Sequence, residues 1–161
     1  MADIAVLTTG GTIDKLYFDA LSEYQIGESV VGRITAIARV ALDVRVEELM
    51  RKDSLELTDA DRATIRAAVE RAPESRIVIT HGTDTMTDTA AALAGIAGKT
   101  VVLIGALAPA RFAESDAPFN LGMGFATAQV AVPGVWIAMN GTVFAAGHVR
   151  KDRGLGKFVA E

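Results

Sequence analysis

Ile4-Ala5-Val6-Leu7-Thr8-Thr9-Gly10-Gly11-Thr12-Ile13-Asp14 is an apolar run that ends in hydroxyls and paired glycines. The stretch Arg76-Ile77-Val78-Ile79-Thr80-His81-Gly82-Thr83-Asp84-Thr85-Met86 follows the same plan. Each reads as a strand that runs into a glycine-relaxed turn carrying hydroxyls. The apolar parts lack polar alternation, which suits strands buried on both faces of a parallel sheet. In open α/β sheets the carboxyl ends of the strands are where ligands bind. Two such ends, rich in threonine and with a carboxylate, point to hydroxyl-nucleophile chemistry on a small polar substrate.

The rest of the chain fits around these two strands. Further β-rich runs cover residues 44–49, 100–104 and 135–139, and the first two strands cover 4–8 and 76–80. Helical patterns lie between them. Val30, Val31, Ile34, Ile37 and Val40 recur at helical spacing in residues 29–41. Thr58, followed by Asp61, reads as the cap of a helix running to about Ala72. Residues 84–97 form an alanine-rich helix, and Pro118 opens another over 118–130. This order predicts an α/β fold, doubly wound, with a mostly parallel sheet, helices on both faces and right-handed crossovers. After the Asn140-Gly141 turn the remainder reads as short strands or coil. Residues 14–27 read as a long βα loop, polar and aromatic (Tyr17, Phe18, Tyr24), and such loops tend to be functional.

The totals bound the function. At 161 residues and half hydrophobic, the chain is expected to form one domain over 1–161. A net charge of −4 argues against nucleic-acid and anionic-membrane partners. With no cysteine there is no thiol nucleophile or Cys-based metal site, and two histidines are too few for a His-rich one. No metal and no cofactor are expected. The amino end enters a strand directly and no apolar run approaches bilayer length, so the expected location is cytoplasmic.

Each motif also has a plain structural reading. Gly10-Gly11-Thr12 is equally a tight βα turn with a threonine cap. It lacks the third glycine of a dinucleotide fingerprint and the lysine of a P-loop. With a helix starting at Asp84, Thr83 sits at or near its N-cap, where free N–H groups suit an oxyanion or a carboxylate. Thr and Asp are favoured there for capping alone. Lys151, beyond the fifth strand, would assist deprotonation if bonded to a threonine near a carboxylate. By itself it belongs to a solvated charge run, Arg150-Lys151-Asp152-Arg153.

Taken together, these segments resemble the amino-terminal domain of the bacterial-type L-asparaginase/glutaminase family. TTGGTI (Thr8 to Ile13) and THGTDTM (Thr80 to Met86) match that family's two signature segments. Ser22-Glu23-Tyr24-Gln25-Ile26-Gly27 resembles its tyrosine-bearing mobile loop, and Asp53-Ser54 its substrate-contacting serine loop. The stretch from Val101 to Ala106 with Pro109, and Pro118-Phe119-Asn120-Leu121, resemble the region after the fourth strand. Asn140-Gly141-Thr142-Val143 leads without a gap to Lys151, the position of the family's lysine.

The resemblance implies hydrolysis of the side-chain amide of L-asparagine, or of glutamine, to a carboxylate and ammonia. It implies Thr12 as nucleophile, with Tyr24 hydrogen-bonded to it from a lid. Thr83, Lys151 and Asp84 form a second hydroxyl–amine–carboxylate chain that activates the attacking water or a hydroxyl. Backbone N–H groups at Thr12 and Thr83 form the oxyanion hole. Ser54 takes the substrate α-carboxylate and Asp84 its α-ammonium, with Gly11, Gly82 and Ala106 lining the substrate site. A homodimer or homotetramer is expected, because the family builds its site between subunits.

Two departures stand out. The family's carboxyl-terminal domain is absent from these 161 residues, and with it the partner groups that complete the site. Leu55 and Glu56 also replace the usual residues after the serine. Lys15, Tyr17, Phe18 and Asp19 of the lid are read as candidates to replace contacts that the absent domain would make. The alternative readings are a non-catalytic amino-acid-binding module and a subunit that needs a second chain.

Overall fold

The computed structural model describes residues 1–161. In chain order the elements are β1 (Ile4–Gly10), β2 (Lys15–Phe18), β3 (Glu23–Ile26), α1 (Val31–Ile37), β4 (Val44–Lys52), α2 (Asp59–Arg71) and β5 (Arg76–Thr80). Then come α3 (Met86–Ala92), β6 (Thr100–Ile104), α4 (Ala117–Val130), β7 (Gly134–Met139), β8 (Thr142–Ala145), β9 (Val149–Asp152) and β10 (Lys157–Ala160). Six strands make one sheet in the order β4-β1-β5-β6-β7-β8. All are parallel except β8, which returns antiparallel to β7. All seven residues of β1 are buried. Its alternate side chains divide between two cores, as expected of a strand covered on both faces. Ala5 and Leu7, with Ile77 and Ile79 of β5, pack under α2 and α3. Ile4 and Val6, with Val78, pack under α1 and α4.

The chain leaves β1 for β4 on one side and later reaches β5 on the other. The gap between the carboxyl ends of β1 and β5 is therefore the topological switch point of the sheet, where ligands bind in such folds. Both threonine turns lie there.

The crossovers differ from the sequence expectation in one place. From β4 to β5, β5 to β6 and β6 to β7 the chain moves across the sheet in one direction. Helices α2 and α3 lie on one face, but α4 lies on the other. The β6–α4–β7 unit therefore has the opposite hand to its neighbours, a rare departure from the right-handed rule. It puts the amino end of α4 on the face of the sheet that carries Ile13 and α1. There Asn120 Nδ2 donates to Gly105 O at 2.9 Å, and Asp116 accepts from the Leu107 and Ala108 N–H groups.

Three local expectations are also corrected. Residues 14–27 are not a βα loop but a β2–β3 hairpin, pairing Lys15 with Ile26 and Tyr17 with Tyr24. Gly27 N donates to Asp14 O at 2.9 Å and closes its base. Helix α1 ends at Ile37 rather than 41, because Arg39 takes a left-handed φ of 51°. Helix α3 spans only Met86–Ala92. Arg66 of α2 binds the Ala92 and Ala94 carbonyls at its carboxyl end, and Gly95 and Gly98, both at positive φ, follow. The Thr58 cap is as read. Its hydroxyl accepts from Asp61 N while Asp61 accepts from Thr58 N, closing a capping box. The residues after Asn140-Gly141 form β8 and the β9–β10 hairpin, the short strands expected there.

Candidate active site

The two threonine turns pack backbone against backbone. Gly11 has φ 86°, and a Cβ there would lie 2.5 Å from Gly82 N. A Cβ on Gly82 would lie 2.6 Å from the Ser54 Cβ. These two positions need glycine because three chain segments meet with no room for a side chain. Thr9 Oγ1 donates to Thr80 O at 2.7 Å and ties the strand ends together.

Thr12 opens a single 3-10 turn, Thr12–Asp14, directly after Gly11. It lines a cavity of about 350 Å3 with Lys15, Tyr24, Leu107, Pro109 and Phe112. Tyr24 stands on β3, half exposed, and its ring contacts Tyr17 (centroids 5.4 Å apart) and Phe112 (6.0 Å). No hydrogen bond joins Tyr24 to Thr12. The structure thus brings the two residues into one cavity without the bond the resemblance implies.

The second hydroxyl is fully assembled. Lys151 Nζ lies 2.8 Å from Thr83 Oγ1 and 2.8 Å from Asp84 Oδ1. Alternation in β9 explains how the lysine arrives. Val149 is buried in the core, and Lys151, two residues on, shares its face. Phe158 of β10 pairs with Lys151, is buried, and donates its N–H to Asn140 Oδ1 at 2.8 Å. The Lys151 bond, then its charge and that of Arg153, hold the Asp84 carboxyl below its ordinary range. Lys151 and Asp84 are 18% and 30% exposed, so the pair is only partly screened by water.

Thr83 is not the N-cap expected from the sequence. Helix α3 begins at Met86 with Thr85 as N-cap, so Thr83 and Asp84 sit in the preceding turn. Thr85 is committed elsewhere, for its hydroxyl donates to Ser54 O at 2.7 Å and its N–H reaches Ser54 Oγ at 3.3 Å. The N–H groups of Gly82, Thr83 and Asp84 donate to no protein acceptor. A run of free N–H groups supplies what a helix end was expected to supply. Ser54 is 1% exposed beneath Gly82. Ala106, buried after β6, packs in the core cluster that holds Ile13.

His81 is structural. It is fully buried, with Nδ1 2.6 Å from Gly82 O and Nε2 2.7 Å from Thr89 Oγ1. A carbonyl accepts only, so Nδ1 carries the proton and Thr89 donates to Nε2. Arg62 Nε in turn donates to Thr89. Burial lowers the His81 pKa to about 4 and keeps the ring neutral.

Sequence reasoning did not find two groups. Asp14 is buried, accepts from Val30 N at 3.0 Å, and is raised to about 6, first by burial. Arg111 donates to Asp14 O and Glu28 O and braces the hairpin base. The Asp14 signal was a carboxylate next to an apolar residue at a turn, which reads as solvent-facing until the fold buries it. The largest hollow in the molecule, about 450 Å3 between α3 and β9, contains neither threonine turn. The site is assigned by its chemistry, not by size.

Known proteins share this chain's sequence and fold. Residues 3–155 match the family model described as Asparaginase, N-terminal. The chain is 30% identical over 159 residues to an L-asparaginase of Thermococcus kodakarensis, covering 95% of this chain and 48% of that one. It is 32% identical over 163 residues to L-asparaginase 2 of Escherichia coli, covering 94% and 47%. The solved structure of the thermostable Thermococcus kodakarensis L-asparaginase superposes with a TM-score of 0.84 at 28% identity, over 98% of this chain and 50% of that one. The chain thus spans about half the length of the curated relatives it matches. No helix is long and apolar enough to cross a membrane. With the family model covering nearly every residue, and both signature turns meeting at the switch point of the sheet, this chain belongs to the asparaginase amino-terminal domain family.

Proposed function

We propose that the protein hydrolyses the side-chain amide of L-asparagine, or of a close analogue, to a carboxylate and ammonia. The observation that carries this reading is the bonded chain Thr83–Lys151–Asp84 beside the Thr12 turn. Thr12 Oγ attacks the amide carbon. The developing oxyanion is taken by backbone N–H groups at Thr12 and Thr83, aimed where charge appears. Ammonia leaves with a proton, and water then cleaves the threonyl ester. The Lys151 ammonium passes a proton through Thr83 to the departing nitrogen and takes up the proton of the attacking group, and Asp84 holds it in place. Tyr24, carried by the β2–β3 hairpin, closes on Thr12 when substrate binds, excluding water. Self-association fits the same reading, since Tyr17, Phe18, Leu21, Tyr24 and Phe112 leave an apolar mouth around the site exposed.

The test is ammonia release from L-asparagine by the purified protein, with Thr12→Ala as control. Release that vanishes in the variant supports the reading. Equal release from both rejects Thr12 as the nucleophile. No release from either turns the reading toward an amino-acid-binding module or a subunit completed by a second chain.

A further inference from the structure

The β2–β3 hairpin that carries Tyr24 is a sheet of its own and pairs with no strand of the main sheet. Beyond its base, residues 16–26 form hydrogen bonds only within the hairpin. Lys15, at its start, donates its N–H to Thr12 O and faces Asp53 at 3.4 Å. Where Tyr24 stands relative to Thr12 is therefore decided at the two feet of the hairpin, Asp14 on one side and Gly27-Glu28 on the other.

One side chain holds both feet. Arg111 Nη1 donates to Asp14 O at 2.8 Å, and Nη2 donates to Glu28 O at 2.9 Å. Asp14 O also accepts from Gly27 N at 2.9 Å, so both of its lone pairs are used. The preceding residue, Ala110, donates its N–H to Ile13 O at 3.1 Å. Ile13 and Asp14 belong to the 3-10 turn that opens with Thr12. Arg111 thus grips the turn that carries Thr12 together with the far foot of the strand that carries Tyr24. The next residue, Phe112, packs its ring on Tyr24 and lines the Thr12 cavity. This segment is itself tied to the start of α4. Asp116 accepts from the Leu107 and Ala108 N–H groups, and Asn120 Nδ2 donates to Asp116 Oδ2 at 2.8 Å. A planar guanidinium offers two donors in fixed geometry, which suits two carbonyls at once, whereas an ammonium is a point donor.

We infer that Arg111 is a positioning residue for the reaction, a clamp that pins both feet of the hairpin so that it bends about one fixed base and brings the Tyr24 hydroxyl onto Thr12. This rests on the hydrolase reading above, in which Tyr24 closes on Thr12. Arg111 acts through Tyr24, because the Thr12 turn keeps its bond from Ala110 when the guanidinium is removed. Without the clamp the feet part, the hairpin samples many orientations, and few of them place the hydroxyl within bonding reach of Thr12.

Arg111→Met removes the fork and keeps an apolar stem. Hydrogen exchange at the Gly27 N–H should become about tenfold faster, while amides of β1 and β5 keep their wild-type rates. The chain has two tyrosines, Tyr17 and Tyr24, both on the hairpin, so 19F resonances of 3-fluorotyrosine report that element alone. Both should shift or broaden in Arg111→Met. In turnover of L-asparagine, Arg111→Met should lower kcat roughly tenfold, and Tyr24→Phe should add nothing in that background. Arg111→Lys should fall between wild type and Arg111→Met on every readout, and it is the variant to compare with wild type should Arg111→Met not fold. Unchanged Gly27 exchange and unchanged tyrosine resonances in Arg111→Met would overturn the clamp, whatever the activity. Wild-type values in Arg111→Lys would overturn the need for a two-carbonyl fork. Losses that multiply between Arg111→Met and Tyr24→Phe would show that Arg111 does not act through Tyr24, and the positioning role falls. If no variant, nor the wild type, releases ammonia but Gly27 exchange and the tyrosine resonances change as expected, the hydrolase reading fails and the clamp stands.

Discussion

The two hydroxyl centres of this molecule are built to different degrees of completion. Thr83 is bonded to Lys151, which is bonded to Asp84, and the lysine rides on a strand anchored by buried Val149 and Phe158. Thr12 shares a cavity with Tyr24 but makes no bond to it, and Tyr24 rides on a hairpin whose strands are largely exposed. In the proposed reaction the rigid half supplies the proton-transfer groups, already aligned before substrate arrives. The open half holds the expected nucleophile and the entrance. Under the proposed function, a bond between Tyr24 and Thr12 would form as the hairpin closes, with binding energy from the substrate driving that motion.

The largest expected effect breaks the rigid half. Thr83→Val and Lys151→Met should each lower kcat by about 100- to 10,000-fold, the range of a lost proton-transfer group. Because the two act as one unit, the double variant should be little worse than either single one. Thermal melts should stay close to wild type, as neither group is part of a hydrophobic core. Multiplying losses in the double variant would mean that Thr83 and Lys151 do not form one relay.

A smaller effect is expected in the open half. Tyr24→Phe removes the hydroxyl proposed to bond Thr12 when the hairpin closes. The loss should be roughly tenfold in kcat, as for one hydrogen bond. Wild-type kinetics would show that the hairpin tyrosine does not orient Thr12. A loss as large as that of Thr83→Val would erase the contrast between the two halves.

How much of this was legible beforehand depends on the range of the interaction. The apolar runs of β1 and β5 and the Thr58 capping box were readable because each is local and periodic. The grouping of Thr12, Thr83, Asp84 and Lys151 was readable only through resemblance, since Thr83 and Lys151 lie 68 residues apart. The start of α3 was misread because Thr83, Asp84 and Thr85 all favour caps. What decides among them is Ser54, a distant residue that claims Thr85. Of the hydroxyls in that cluster, Thr80 is buried in the sheet and Thr85 binds the Ser54 loop, and Thr83 is the one bonded to Lys151. The hairpin was missed because Leu16-Tyr17-Phe18 and Tyr24-Gln25-Ile26 are too short to signal strands. Its base is set by long-range bonds from Asp14 and Arg111. The hand of the β6–α4–β7 crossover left no mark in the local sequence. It depends on which core accepts Leu121 and Phe125.

The smallest effect tests that hairpin base through its pH dependence. Burial raises the folded-state pKa of Asp14 from 3.8 to about 6. Between roughly pH 4 and 6 the folded protein therefore holds a proton that the unfolded chain has lost. Stability from this group is full below pH 4 and falls as the pH rises toward 6, after which it levels off. His81 runs the other way. Its folded pKa of about 4 lies below the ordinary 6.5 of histidine, so its contribution is full above 6.5 and falls toward pH 4. The two slopes oppose each other, so the wild-type curve alone does not isolate either. Asp14→Asn removes one slope and keeps an amide where the carboxyl bonds Val30 N. The difference in denaturant stability, wild type minus Asp14→Asn, should decline from pH 4 to 6 and then stay constant. A difference that does not vary with pH would mean that Asp14 is hydrated in solution and that the hairpin base is looser than the bond to Val30 implies. In that case the open half would extend below the hairpin to the start of α1.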